Sequence, residues 1–123
     1  MAIHNDVGHW GEQIACEKLI REGYAIVERN WRMHHFEVDI IATKGNRIIF
    51  IEVKTRTNLN DDPILAVDKR KINHMIRSAI MYVKYTNTKL EPQFDIIGIT
   101  GTHDDFKIEH IEDAFIPPLR TYR

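Results

Sequence analysis

Apolar residues change their period several times along the chain, and each change marks an element. Gly8, Gly11, Glu12, Ala15 and Leu19 recur at helical spacing on one face. Asn5 or Asp6 can cap this helix, which runs to about Glu22 and is stopped by Gly23. Tyr24 to Arg29 reads as a strand, with Ala25 and Val27 alternating with Ile26 and Glu28. From about Phe36 to Arg56, two apolar runs flank the turn Lys44-Gly45-Asn46-Arg47, where glycine accepts the positive φ of a tight hairpin. With Gly45-Asn46 as the loop, Lys44 pairs with Arg47, Thr43 with Ile48, Ile41 with Phe50, Asp39 with Glu52 and Glu37 with Lys54. A loop of four residues gives the same register. Val38, Ile40 and Ala42 then share a wholly apolar face with Ile49, Ile51 and Val53.

Thr57 to Pro63 is polar and turn-rich and predicts a mobile loop. Helical spacing returns from about Asp68 to Tyr85, through Ile72, Met75, Ile76, Ala79, Ile80, Tyr82 and Val83. Phe94 to Thr100 predicts a strand, Gly101 to Asp105 a turn, and Phe106 to Ile111 a last strand. Pro117-Pro118 should end regular structure and leave residues 117–123 as an exposed tail. The order α-β-β-β-α-β-β predicts a single α/β domain over residues 1–116, a mixed sheet flanked by helices.

Composition narrows the setting. At 123 residues and 43% hydrophobic content, the chain can bury one respectable core and is not compositionally disordered. No apolar run approaches a membrane span, and Met1 to Trp10 lacks a signal-peptide pattern. The single cysteine, Cys16, excludes an internal disulfide framework and fits a reducing cytoplasm. A formal net charge of −1 means that any nucleic-acid binding must come from local basic patches.

The hairpin register has a chemical consequence. Asp39 directly opposite Glu52 is a like-charge pair, which destabilises a sheet unless something holds it. A bound cation is the economical answer, and hard oxygen ligands suit Mg²⁺ or Mn²⁺ better than zinc. Glu12 falls on the small-residue face of the first helix and should point inward with it, where a carboxylate is unusual unless paired or metal-bound. Lys54 shares the strand face of Glu52 and can polarise a water or neutralise a phosphate. Three carboxylates, a cation and a lysine make a kit for phosphodiester hydrolysis. The bland reading is an exposed sheet face with Glu37 and Lys54 as a cross-strand ion pair. It accounts for that pair, but poorly for Asp39 opposite Glu52 and not at all for Glu12.

Other candidates are weaker. The seven histidines are scattered, His34 and His35 should diverge on a strand, and no Cys-x-x-Cys or His-x-x-x-His spacing supports zinc. Cys16 lies beside Ala15 on the inner side of its helix, the usual place of a buried structural thiol. Trp10 and Trp31 read as packing residues. Lys69, Arg70 and Lys71 crowd the first turn of the second long helix, against its macrodipole. With Arg29, Arg32 and Arg56 they outline a phosphate-tracking groove, although a solvated basic face is the ordinary alternative.

The chain resembles a known family. Gly11-Glu12 with Ala15 and Leu19, Gly23-Tyr24, Arg29-Asn30-Trp31-Arg32, Glu37-Val38-Asp39-Ile40-Ile41, Glu52-Val53-Lys54-Thr55-Arg56, Phe94-Asp95-Ile96-Ile97 and Ala114-Phe115 match the YraN family of small predicted bacterial endonucleases. That family looks like the restriction-endonuclease-like PD-(D/E)XK fold and is similar in its core to archaeal Holliday-junction resolvases. The resemblance implies Asp39 and Glu52 as metal ligands with the Val53 carbonyl completing the shell, Glu12 as the helix-borne acid and Lys54 as the catalytic lysine. Glu37 would stand behind them, and Lys71 would match a lysine that touches nucleic acid or the site. The proline of the eponymous motif is Val38 here, and Phe36 stands where members usually carry glycine, adding bulk beside the strand that enters the site.

The expectation is therefore a Mg²⁺- or Mn²⁺-dependent nuclease acting on structured or branched nucleic acid, DNA in preference to RNA. The alternative is a module of the same fold that binds nucleic acid or a protein without cutting. Junction cutting would need two sites related by two-fold symmetry, hence a homodimer, on which the sequence carries no signal.

Overall fold

The computed structural model describes residues 3–115. The elements run α1 (Ile3–Arg21), β1 (Ala25–Met33), β2 (Phe36–Lys44), β3 (Arg47–Arg56), a 3₁₀ turn (Pro63–Ala66), α2 (Lys69–Thr86), β4 (Glu91–Thr102) and β5 (Asp105–Ile111). The strands form one sheet in the order β1-β2-β3-β4-β5, parallel between β3 and β4 and antiparallel elsewhere. The expected single α/β domain with a mixed sheet is thus present. The tail expected at 117–123 lies outside the described residues.

Alternation along β3 sends side chains to two cores. Ile49, Ile51 and Val53 pack with Ala15, Cys16 and Leu19 of α1, and with Ile97 and Ile99 of β4. Ile48 and Phe50 pack instead with Met75, Ile76, Ala79 and Tyr82 of α2. The helices therefore cover opposite faces of the sheet, and β3 at its centre is buried along most of its length, as a strand covered on both sides must be. Both tryptophans pack as expected, Trp31 in the α2 core and Trp10 against the α1 core.

Several boundaries differ from the sequence pattern. Helix α1 begins at Ile3, upstream of Asn5 and Asp6, so neither residue stands at its start. A capping preference is a local bias of about 1 kcal/mol, and it does not forbid extra turns. Gly23, at φ +92°, ends the helix as anticipated, with the Tyr24 N–H returning to the Leu19 carbonyl at 3.0 Å. Strand β1 continues past Arg29 to Met33, and His34-His35 form the tight turn into β2. The two histidines are therefore not strand residues. His34 takes φ +57°, a conformation more often left to glycine or asparagine, which is why the pattern concealed the turn. The Gly45-Asn46 turn forms as read, with Gly45 at φ +62° and Lys44 paired to Arg47.

Two close approaches fix what lies around the sheet. A Cβ at Gly11 would collide with Thr55 Oγ1, so α1 rests directly on the end of β3. A Cβ at Gly98 would stand 2.8 Å from Pro63 Cγ, so the 3₁₀ turn lies flat on β4. Among the described residues, no helix is long and apolar enough to cross a membrane.

Candidate active site

The predicted hairpin register holds from Lys44↔Arg47 to Ile40↔Ile51 and then stops. Asp39 and Glu52 do not form the next ladder pair, nor Glu37 and Lys54 the one after. The Asp39 carboxylate instead accepts the Val53 backbone N–H at 2.8 Å, a charge-assisted bond. The inner face changes at the same point. Val38 joins Ile41 in the α2 core, while Ile40 and Ala42 stay in the α1 core. Strict alternation would have kept Val38 with Ile40, so the break falls at Asp39.

This break leaves a cleft of about 560 Å³ where the end of β3 meets the first halves of α1 and α2. Asp39, Glu52 and Lys54 line it, joined by Glu12 from α1 and Lys71 from α2. Glu52 is only 5% exposed. Two ammonium groups reach the same carboxylate oxygen, Oε2: Lys71 Nζ at 3.4 Å and Lys54 Nζ at 3.5 Å. Burial, reinforced by the Asp39 charge, nevertheless pushes the Glu52 carboxyl up to about 7. Burial also raises Asp39, against the opposing pull of the Val53 N–H, Lys71 and Lys54. Glu12 is raised by burial first and by Asp39 second, while the side chain of Asn30 draws it back.

Glu12, Asp39, Glu52, Lys54 and the Val53 backbone therefore meet in one place. Among the described residues, however, no group of three or more His, Cys, Asp or Glu side chains stands close enough to form a ready-made metal cage. The donor chemistry still suits a hard divalent cation: oxygen ligands only, with Asp39 and Glu52 both raised by burial and Glu52 raised further by the Asp39 charge. A cation would relieve that repulsion, but it would have to draw Glu52 partly away from its lysines.

The remaining sequence candidates divide. Arg56 and Glu37 border the cleft. Glu37 faces Arg32 at 3.7 Å rather than Lys54, so the expected cross-strand pair is replaced by one at the hairpin end. Arg29 donates to Gln13 Oε1 at 3.0 Å on the α1 side. Lys69 and Arg70 are exposed in the first turn of α2, which Asp68 caps by accepting the Lys71 N–H at 3.0 Å. Cys16 is buried with its thiol raised by burial, as expected of an unreactive cysteine.

Sequence reading missed two features. Asp61 reaches the cleft from the loop after β3, placed by its neighbours: Asp62 caps the 3₁₀ turn and Pro63 rests on Gly98. The dense acids at 61–62 were the available signal. At the opposite end of the α1 face, fully buried Asp95 accepts from His110 Nε2 at 2.8 Å, from Gln93 Nε2 at 2.9 Å and from the Asp113 N–H at 2.9 Å. A lone aspartate amid the isoleucines of β4 was its only trace.

A single α/β domain with a buried carboxylate–lysine cluster in an open cleft is the class that fold and site define. The chain belongs to the Uncharacterised protein family UPF0102, whose model matches residues 11–99. It is 46% identical over 120 residues to a UPF0102 protein of Bacteroides thetaiotaomicron, covering 97% of this chain and 99% of that one. It is also similar to UPF0102 proteins of Parabacteroides distasonis (43% over 121 residues, 98% and 100% covered) and Flavobacterium psychrophilum (42% over 116 residues, 94% and 98% covered).

Proposed function

We propose that the protein is a divalent-metal-dependent phosphodiester hydrolase of restriction-endonuclease-like fold, acting on nucleic acid and on DNA in preference to RNA. The observation that carries this reading is the buried Glu52 carboxylate beside Asp39, with Lys54 and Lys71 both within 3.5 Å of it in an open cleft. A purely structural ion pair has no need of a second, half-buried acid and two lysines at a surface opening.

Asp39, Glu52, the Val53 carbonyl and Glu12 are the groups that would hold Mg²⁺ or Mn²⁺. Such an ion, when bound, makes water a competent nucleophile at neutral pH and takes up charge on the phosphoryl group. Lys54 and Lys71 share the Glu52 carboxylate, so two positive charges stand together at the cleft, where they would draw a phosphate. There they offset the negative charge that grows in the transition state. Glu12, with its carboxyl raised by burial and by the Asp39 charge, stands at the α1 wall of the cleft. Arg56 and the exposed Lys69 and Arg70 contribute sequence-independent attraction for the backbone.

The test is cleavage of single strands, flaps, splayed duplexes and four-way junctions in Mg²⁺ or Mn²⁺, beside Asp39→Asn. Cleavage at an equal rate by the variant would assign the activity to a contaminant and end the proposal.

One observation favours a second reading, a binding module that does not cut. Glu52 is already satisfied by two lysines, and no compact three-acid cage is present among the described residues. Titration calorimetry with Mn²⁺ separates the two readings. Heat in the wild type that disappears in Glu52→Gln supports the hydrolase, and equal heats, or none, support the module.

A further inference from the structure

Near the cleft, three aromatic rings gather where the turn into β2 meets α2. The His35 ring lies 4.3 Å from that of Phe36, tilted by 33°. Phe36 in turn lies 6.3 Å from His74 of α2, nearly parallel at 24°, and His35 is 6.5 Å from His74. Phe36 closes the edge of the α2 core with one side. His35 is exposed, belongs to neither core and extends the rings outward. The β2 backbone is pinned to α2 next to these rings, where the Glu37 N–H donates to Ser78 Oγ at 3.3 Å.

The rings adjoin residues of the cleft. Glu37, next to Phe36, lines the cleft, and so does Lys71, one helical turn before His74. Lys71 also borders a second cavity of about 310 Å³, whose wall includes Arg70 and His74. Lys71 thus links the Glu52 cleft to the cavity that His74 borders. Helix α2 beside it carries Lys69, Arg70, Lys71, Arg77 and Lys84 and no acidic residue. Cations that attract a phosphate backbone, next to flat rings that stack on bases of any sequence, are the combination by which proteins hold single strands.

We infer that the His35–Phe36–His74 ring layer is a stacking ledge for an unpaired nucleobase one or two nucleotides from the phosphate held at Lys54 and Lys71. The inference deepens the proposed hydrolase and rests on that reading for the position of the phosphate. It makes the substrate class a strand with an unpaired nucleotide beside the reacting bond, as in single-stranded or branched nucleic acid. A continuous duplex keeps its bases stacked on one another and offers the ledge nothing.

The test reads binding without cleavage. Oligonucleotides carrying 2-aminopurine, as single strands, splayed duplexes and blunt duplexes of the same sequence, are titrated with the full chain in buffer free of divalent cations. The wild type should bind the single strand about tenfold or more tightly than the blunt duplex, and should quench the 2-aminopurine at one position. Phe36→Ala and His74→Ala should each lose about tenfold of single-strand affinity while duplex affinity stays unchanged. Phe36→Leu, which keeps the packing but removes the ring, should behave as Phe36→Ala does, and Phe36→Tyr should behave as wild type. If Phe36→Ala does not fold, His35→Ala on the exposed turn replaces it. Equal affinity for strand and duplex, absence of quenching, or wild-type binding by Phe36→Leu would overturn the ledge. Cleavage of the same oligonucleotides in Mn²⁺ separates the two ideas. Cutting that is indifferent to the rings removes the ledge and keeps the hydrolase, whereas ring-dependent binding without cutting keeps the ledge and removes the hydrolase.

Discussion

Asp39 and Val53 are tied by a 2.8 Å hydrogen bond from the Val53 N–H to the Asp39 carboxylate, just beyond the last backbone pair of β2 and β3. A side chain does there what a carbonyl would do in a continuing ladder. The strands are released from one another while Asp39 stays anchored near Glu52, and the cleft opens at that point. A half-buried acid is fixed in place by the backbone of the strand that carries its partner acid.

Asp39→Asn should therefore separate stability from function. The amide removes a charge that repels buried Glu52, so the metal-free protein should gain stability in urea denaturation at pH 8. Any metal-dependent cleavage should fall by about a hundredfold or more. Lost stability would instead mean that the charge-assisted bond to Val53 outweighs the repulsion.

The raised Glu52 carboxyl predicts how metal-free stability depends on pH. The folded protein keeps the Glu52 proton up to about 7, whereas the unfolded chain releases it near the ordinary value of 4.5. Between those values the unfolded state binds fewer protons, so stability falls as pH rises through the window. Glu52→Gln should flatten this fall, which amounts to roughly 1–3 kcal/mol. Denaturation midpoints from pH 4.5 to 8 check it, and identical slopes in both proteins would refute it.

Gly11→Ala should strain the contact between α1 and β3, because the new methyl group meets Thr55 Oγ1. A loss of about 1–3 kcal/mol is expected. Thr55→Ala should restore part of it, visible as a coupling energy in a double-mutant cycle, while Thr55→Ser should not.

Lys69→Ala with Arg70→Ala should weaken nucleic-acid binding equally for all sequences and lower the slope of log affinity against log salt by about 1 for each residue. Both side chains are exposed, so the fold should be untouched. An unchanged salt slope would return the pair to an ordinary solvated surface. Lys71 belongs to a different experiment, since its ammonium group faces Glu52.

His110→Ala should leave the buried Asp95 carboxylate without one of its three donors. A destabilisation of about 1–3 kcal/mol is expected, with binding and cleavage unaffected once the folded fraction is corrected for. An activity loss beyond that fraction would show that this cluster communicates with the cleft.

Much of the fold was legible because its signals are local. The Gly45-Asn46 turn set the hairpin register, and the stripe through Gly11, Ala15 and Leu19 gave the buried face of α1. The period through Ile72, Met75, Ile76 and Ala79 gave that of α2. Each rests on the stereochemistry of one segment, where neighbouring side chains decide the outcome. That Asp39, Glu52 and Lys54 lie near one another was legible from strand parity and the hairpin, whereas Glu12 joins them from α1 only because the ladder breaks at Asp39 and opens the cleft.

Only the tertiary structure decided what depends on segments distant in the chain. Alternation predicts that Asp39 faces Glu52 across a ladder, yet a backbone N–H of the neighbouring strand binds the carboxylate and ends the ladder there. No local rule brings Lys71 to Glu52, because that contact follows from how α2 crosses β3. The placement of Asp61, the Asp95–His110 contact and the ring layer at Phe36 and His74 likewise arise where elements pack. The sequence by itself determined which residues could be chemical and which way each element faces. Packing decided their partners, because a long-range contact is a property of two surfaces and neither segment encodes it alone.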